Sequence, residues 1–179
     1  MRWAITTLLL PCLLLMQTGS VAAAASQNDT GFVARVLELT NGERQKVGLE
    51  PLALSPELSD AAQEYSQVLA TTGCFEHTCG PVPSFADRAG QSGYTGWSAL
   101  GENIAAGFPS AEAVVTSWMN SPGHRANILS PNFTEIGVGM VKGGGKFGTY
   151  WTQEFGARPG APQPDPSTDS IAGDGGSDG

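Results

Sequence analysis

Charge is scarce in this chain. Only 15% of its 179 residues are charged, with 9 Lys and Arg against 17 Asp and Glu. At a net charge of −8 and a pI of about 4.6 it has no means to neutralise a run of phosphates, which excludes nonspecific nucleic-acid binding. Histidine occurs only twice, so a three-histidine metal site is excluded. Beyond residue 25 no segment is apolar for long enough to cross a bilayer. Glycine and proline, by contrast, are abundant at 24 and 12, too many for a helical bundle. They predict long loops, an unstructured tail, or both. With 40% hydrophobic residues the chain can bury a core, and its length suits one domain.

Both ends stand outside that domain. Arg2 is a short basic region, Trp3 to Met16 is mostly apolar, and Ala22–Ala25 supplies small residues, the pattern of a secretory signal cut near Ala25. A retained membrane anchor is the alternative, but the apolar run is short and Pro11 interrupts it. Arg2 is the one charged residue in 1–25, so its removal leaves 8 basic and 17 acidic residues, a net charge of −9. The expected destination is extracellular or periplasmic, with no transmembrane anchor after cleavage. Residues 159–179 hold Pro, Gly, Ser and four Asp, no basic residue and a lone Ile171, and read as a disordered acidic tail. The folded unit is 28–158, read as a monomer.

Within it, helical signals come first. Thr30 can cap a helix to about Val47 with Val33, Val36, Leu37 and Thr40 on one face. Ser55-Pro56 starts a second helix, with Leu58, Ala61, Ala62, Tyr65, Val68 and Leu69 on its stripe and Gly73 as its stop. A short helix is expected at 84–89, another from Ser110 to the Ser121-Pro122-Gly123 break, and one further turn at 125–129. The last third alternates instead. Residues 135–142 and 146–155 read as strands joined through Gly143-Gly144-Gly145, with Gly137 and Gly139 on a face where something packs close. Helices first and strands last predict an α+β fold with helices covering an antiparallel sheet.

Three segments carry chemistry. Cys74-Phe75-Glu76-His77-Thr78-Cys79 is either a tight disulfide loop or a zinc knuckle of Cys74, His77 and Cys79; export favours the disulfide. Gly101-Glu102-Asn103-Ile104 offers one carboxylate in a stretch otherwise without charge. Ser121-Pro122-Gly123-His124-Arg125-Ala126-Asn127 offers His, Arg and Asn within four residues, well supplied for binding or simply for bracing a loop. Asp87 and Arg88 are either an exposed ion pair or turn toward His77. The acceptor patterns at Asn28 and Asn132 are read as chance.

Together and in this order these segments resemble the bacterial branch of the CAP superfamily, or SCP domain (cysteine-rich secretory proteins, antigen 5, pathogenesis-related 1). The matching blocks run from Leu39-Thr40-Asn41-Gly42-Glu43-Arg44, through Phe85-Ala86-Asp87-Arg88-Ala89-Gly90 and the three segments above, to Glu135-Ile136-Gly137-Val138-Gly139 and Tyr150-Trp151-Thr152-Gln153-Glu154-Phe155. The resemblance implies an α/β/α sandwich around a central antiparallel sheet, with an open cleft. In eukaryotic members two histidines and two acids face that cleft and can hold zinc. His77 matches the first histidine and Glu102 one acid. The second acid is missing from Trp118-Met119-Asn120-Ser121, and the second histidine from Tyr150-Trp151-Thr152-Gln153. His124 is the substitute on offer.

Three functions follow as expectations. The first is a non-catalytic binding module whose cleft of His77, Glu102, Asn103, His124 and Arg125 takes a lipid- or sterol-like ligand or a cell-surface partner. The second adds zinc on His77, Glu102 and His124, leaving a fourth position open. The third is a hydrolase with His77 or His124 as base, Glu102 as its orienter and Ser121 or Thr78 as nucleophile.

Overall fold

The computed structural model describes residues 21–161, so the expected signal (but for its last five residues) and nearly all of the acidic tail lie outside the described residues. The elements run α1 (Val21–Gln45), β1 (Ala53–Leu54), α2 (Pro56–Thr72), α3 (Phe85–Gln91), β2 (Ala99–Ala106), α4 (Ala111–Asn120), α5 (Pro122–Ile128), β3 (Glu135–Lys142) and β4 (Thr149–Ala157). Among them no helix is long and apolar enough to cross a membrane.

The sheet order is β1-β3-β4-β2. It is antiparallel except for the two-residue parallel pairing of β1 with β3. Side-chain alternation divides its faces. Ile136, Val138 and Met140 of β3 join Trp151 and Phe155 of β4, Val36 of α1, and Val114, Val115 and Trp118 of α4 in the main core. The opposite face meets α2. A Cβ on Gly137 would run into the backbone of Leu58 and Ser59, and one on Gly139 into Ala62 and Gln63. These glycines let α2 lie directly on the strand, as their position opposite the apolar residues predicts. Tyr65 and Leu69 of α2 pack there with Ile104 and Tyr150. The result is the expected α/β/α sandwich.

The helix ends follow the sequence. Ser55 accepts from the N–H of Leu58, Pro56 takes the first helical position, and Gly73 closes α2 at φ 72°. Ser84 and Ser110 cap α3 and α4 in the same way. Several expectations differ: β1 was not expected, α5 starts at Pro122 rather than 125, and β4 runs Thr149–Ala157 rather than 146–155. α1 already covers Val21, the first described residue, and runs on through Thr30, because the alanines at 22–25 are strong helix formers and nothing at Thr30 interrupts them. β2 was not foreseen, since Ala99-Leu100-Gly101-Glu102-Asn103-Ile104-Ala105-Ala106 holds one β-branched residue and no clean alternation. It is a strand because β4 pairs with it along its whole length.

Arg44 ties α1 to the far end of the domain. Its side chain is 2% exposed and donates to the carbonyls of Glu50, Ile128, Ser130 and Phe133.

Candidate functional site

Strand pairing sets the centre of the site. β2 and β4 place Glu102 directly opposite Glu154, both pointing to the α2 side. Two like charges in that position repel. Arg88 resolves the conflict: it is 6% exposed, its Nη2 donates to Glu102 Oε2 and lies 3.6 Å from Glu154 Oε1. The alternative of an exposed Asp87–Arg88 pair is therefore set aside. Arg88 turns inward, while Asp87 stays exposed and accepts from the Ser84 hydroxyl.

Arg88 has a shelf beneath it. Its guanidinium sits 3.4 Å from the ring centroid of Tyr65, and its Nη1 donates to the carbonyls of Pro83 and His77. Burial pushes the Tyr65 hydroxyl up to about 12. That hydroxyl donates to the carbonyl of Glu76, joining the shelf to the loop closed by the Cys74–Cys79 disulfide. The disulfide removes the zinc knuckle reading.

His77 projects from that loop. Its Nδ1 is 2.7 Å from Glu102 Oε1, yet its side chain is 54% exposed. The imidazole is thus anchored at one nitrogen and presents the other edge to solvent. The Glu102 hydrogen bond raises its pKa above the ordinary 6.5. His124 moves the other way, lowered by burial and then by the charge of His77. A proton NMR titration is expected to separate the two, His77 above 6.5 and His124 below it. Glu102→Gln is expected to bring His77 down toward the ordinary value, and an unchanged midpoint would remove the pair as its cause. The His77–Glu102 pair stabilises the fold fully below pH 6.5 and less as pH rises through the raised pKa. His124 has the opposite sign: its contribution is lost as pH falls from 6.5 through its lowered pKa.

Glu154 was not foreseen as a site residue. It is fully buried, and neither carboxylate oxygen has a hydrogen-bond partner. Burial first, and then the charge of Glu102, lifts its pKa well above 4.5. It holds a proton at pH values where an ordinary glutamate has lost one. The register of β2 on β4 brings it here, and nothing local in Trp151-Thr152-Gln153-Glu154-Phe155 signals that pairing.

Two expected cleft residues lie elsewhere. Asn103 is fully buried on the opposite face, donating to the His124 carbonyl and to Gln153 Oε1 and accepting from Asn127. Asn127 also donates to the carbonyl of Glu102. These two amides clamp α5 against the outer edge of β2, so Asn103 braces the site rather than lining it. Arg125 is exposed and faces a separate concavity beside Met119 and Leu129.

The donors do not fit the expected zinc site. Among the described residues no three His, Cys, Asp or Glu side chains are grouped to hold a metal ion. Both oxygens of Glu102 are engaged, one by Arg88, whose positive charge sits where a cation would have to approach. Neither expected nucleophile is bonded to a histidine among the described residues. Ser121 joins α4 to α5 with its hydroxyl making no cap bond, and Thr78 is exposed in the disulfide loop.

A four-stranded sheet covered by helices on both faces is the fold of an SCP domain. The chain belongs to the cysteine-rich secretory protein family (CAP), whose model matches residues 37–155. It is 42% identical over 136 residues to the uncharacterized protein YkwD of Bacillus subtilis (strain 168), covering 76% of this chain and 51% of that protein. It is 32% identical over 121 residues to the uncharacterized membrane protein YlbC of the same organism, covering 68% of this chain and 33% of that one. The chain thus spans about half or less of the length of these relatives. Among solved structures, an extracellular protein containing a SCP domain from Bacillus anthracis str. Ames superposes with a TM-score of 0.67 at 30% identity, over 74% of this chain and 42% of that one. An outer surface protein from Borrelia burgdorferi shares the fold, with a TM-score of 0.62 at 23% identity over 69% of this chain and 90% of that one.

Proposed function

We propose that the chain is an exported, non-catalytic binding module. In this reading residues 1–25 direct export and are removed near Ala25, and the cleft around His77, Glu102 and His124 takes a small apolar ligand or an apolar partner surface. The observation that carries it is the His77 imidazole, locked by Glu102 and Arg88 yet 54% exposed, with no hydroxyl or thiol bonded to it among the described residues. A fixed imidazole with no nucleophile can donate or accept one hydrogen bond and orient a ligand.

The apolar side of the reading rests on Phe75 and Phe147. Phe75 is in the His77 loop, the two are 41% and 46% exposed, and their rings stand 5.9 Å apart. They form an exposed aromatic pair that includes a residue of the His77 loop. The test is calorimetric titration of the intact protein with cholesterol sulfate and, separately, with zinc. Cholesterol sulfate is expected to bind, and His77→Ala and Phe75→Ala are each expected to weaken it by about tenfold. Equal affinity in both variants would defeat the reading. Tight zinc binding lost in both His77→Ala and His124→Ala would replace it with a metal site. Hydrolysis of p-nitrophenyl acetate abolished by His77→Ala would replace it with a hydrolase.

A further inference from the structure

The loop that carries His77 is closed by Cys74 and Cys79, which are 5 positions apart in sequence. A loop that short is where a cross-link removes the least chain entropy, so the bridge staples little of the domain. What it does fix is the loop from which the imidazole reaches Glu102.

Its two sulfurs stand in unlike surroundings. Cys79 is 4% exposed and packs with Tyr65, Leu69 and Ile104. Cys74 is only half-buried and lies between the exposed Gly73 and Phe75. It also follows directly on the C-terminal end of α2, its N–H donating to the Thr72 hydroxyl. A helix C-terminus disfavours negative charge beside it. Cys79 has the opposite circumstance. The Tyr65 Oη lies 3.5 Å from its Sγ and 2.5 Å from the carbonyl oxygen of Glu76, to which it donates. One hydroxyl hydrogen thus stands between two acceptors, a carbonyl of the loop and a sulfur of the bridge. A thiolate is stabilised at Cys79 and not at Cys74.

We propose that Cys74–Cys79 is an exchange-active disulfide that takes two electrons from a dithiol and releases the His77 loop when it does so. A thiolate of the dithiol attacks Cys74 Sγ, the half nearer solvent. A new S–S bond forms there, the Cys74–Cys79 bond breaks, and its electron pair leaves on Cys79 Sγ. The Tyr65 hydrogen turns from the Glu76 carbonyl to that thiolate and so favours its departure. The second thiolate of the dithiol then attacks the donor sulfur of the mixed disulfide and frees Cys74. The donor ends as a disulfide, having given up two electrons and two protons, and both cysteines end as thiols.

The same hydrogen couples the chemistry to the site. The oxidised loop is held by the bridge, by Tyr65 on the Glu76 carbonyl, by Arg88 on the His77 carbonyl and by His77 on Glu102. Exchange removes the first two together. Arg88 keeps its seat on Tyr65, the Pro83 carbonyl and Glu102, so the domain stays folded while the imidazole loses its mount. None of this depends on what the cleft binds.

Glutathione, a monothiol that stops at the mixed disulfide, is the first probe. The intact protein is treated under native conditions, alkylated and mapped by peptide, so that each cysteine is read separately. Glutathione is expected on Cys74 and the alkyl group on Cys79. The reverse pattern, or an even one, would overturn the proposal. Dithiothreitol is then expected to reduce the bridge with wild-type amide dispersion retained, and a bridge that opens only in denaturant would also overturn it. Tyr65→Phe keeps the ring beneath Arg88 and is expected to slow reduction about fivefold. Reduction as fast as in wild type would remove Tyr65 from the route. In the reduced protein, and in the Cys74→Ser, Cys79→Ser double variant, the NMR titration midpoint of His77 is expected to fall toward 6.5. A midpoint that stays at the oxidised value in both would show that the bridge does not hold the imidazole, and the coupling fails.

Discussion

Gly139→Ala is expected to lower stability by about 3 kcal/mol or more and the Tm by roughly 10 °C. The added Cβ would fall well inside 3.0 Å of the Ala62 and Gln63 backbone, which cannot rotate away as a side chain can. α2 would have to lift from β3, and with it the packing of Tyr65 and Leu69. Gly137→Ala is expected to behave alike against Leu58 and Ser59. Gly123→Ala is the control. It lies in α5 with open space around it and is expected to be neutral or slightly stabilising. Urea denaturation of the three variants checks the contrast. Equal midpoints would mean that α2 does not rest on the strand.

Arg88→Met is expected to cost about 3–5 kcal/mol, because it leaves Glu102 buried without its cation beside a second carboxyl. Glu154→Gln is expected to cost less, since burial and the charge of Glu102 favour the neutral form of the residue it replaces. The sign of the pH effect follows. The folded pKa of Glu154 lies above the ordinary 4.5, so its contribution to stability is fully present below pH 4.5 and is lost as pH rises through the folded value. Glu154→Gln is expected to flatten that decline. Denaturation midpoints across pH measure both. An Arg88→Met protein as stable as wild type, or a Glu154→Gln protein as crippled as Arg88→Met, would overturn this account of the buried cluster.

Much of the fold is legible in the residues. Ser55-Pro56 and Gly73 bound α2 because caps act locally, and the apolar alternation of Ile136, Val138 and Met140 names both the core face of β3 and, through its glycines, the seat of α2. β2 is not legible, because its strand state comes from pairing with residues some 50 positions later. The site divides in the same way. His77 and Glu102 stand out as rare polar residues in distinctive motifs, and they do meet. Glu154 and the Tyr65 shelf escape notice because an antiparallel register and a helix face bring them in. Asn103 and Arg125 sit in those same motifs yet point elsewhere, since adjacent strand residues face opposite sides of a sheet and α5 turns its exposed side away.

The strand order has a consequence for how the chain comes into being. β4 is the last of the described elements, yet it lies between β3 and β2 and supplies every backbone bond that β2 makes within the sheet. A chain emerging from its N-terminus first can pair only the two residues of β1 with β3 until residues 149–157 arrive. Until then Glu102 has no Glu154 opposite it, and the main core lacks Trp151 and Phe155. Completion of the sheet therefore waits for β4. Residues 99–148 all precede the partner strand on which β2 depends.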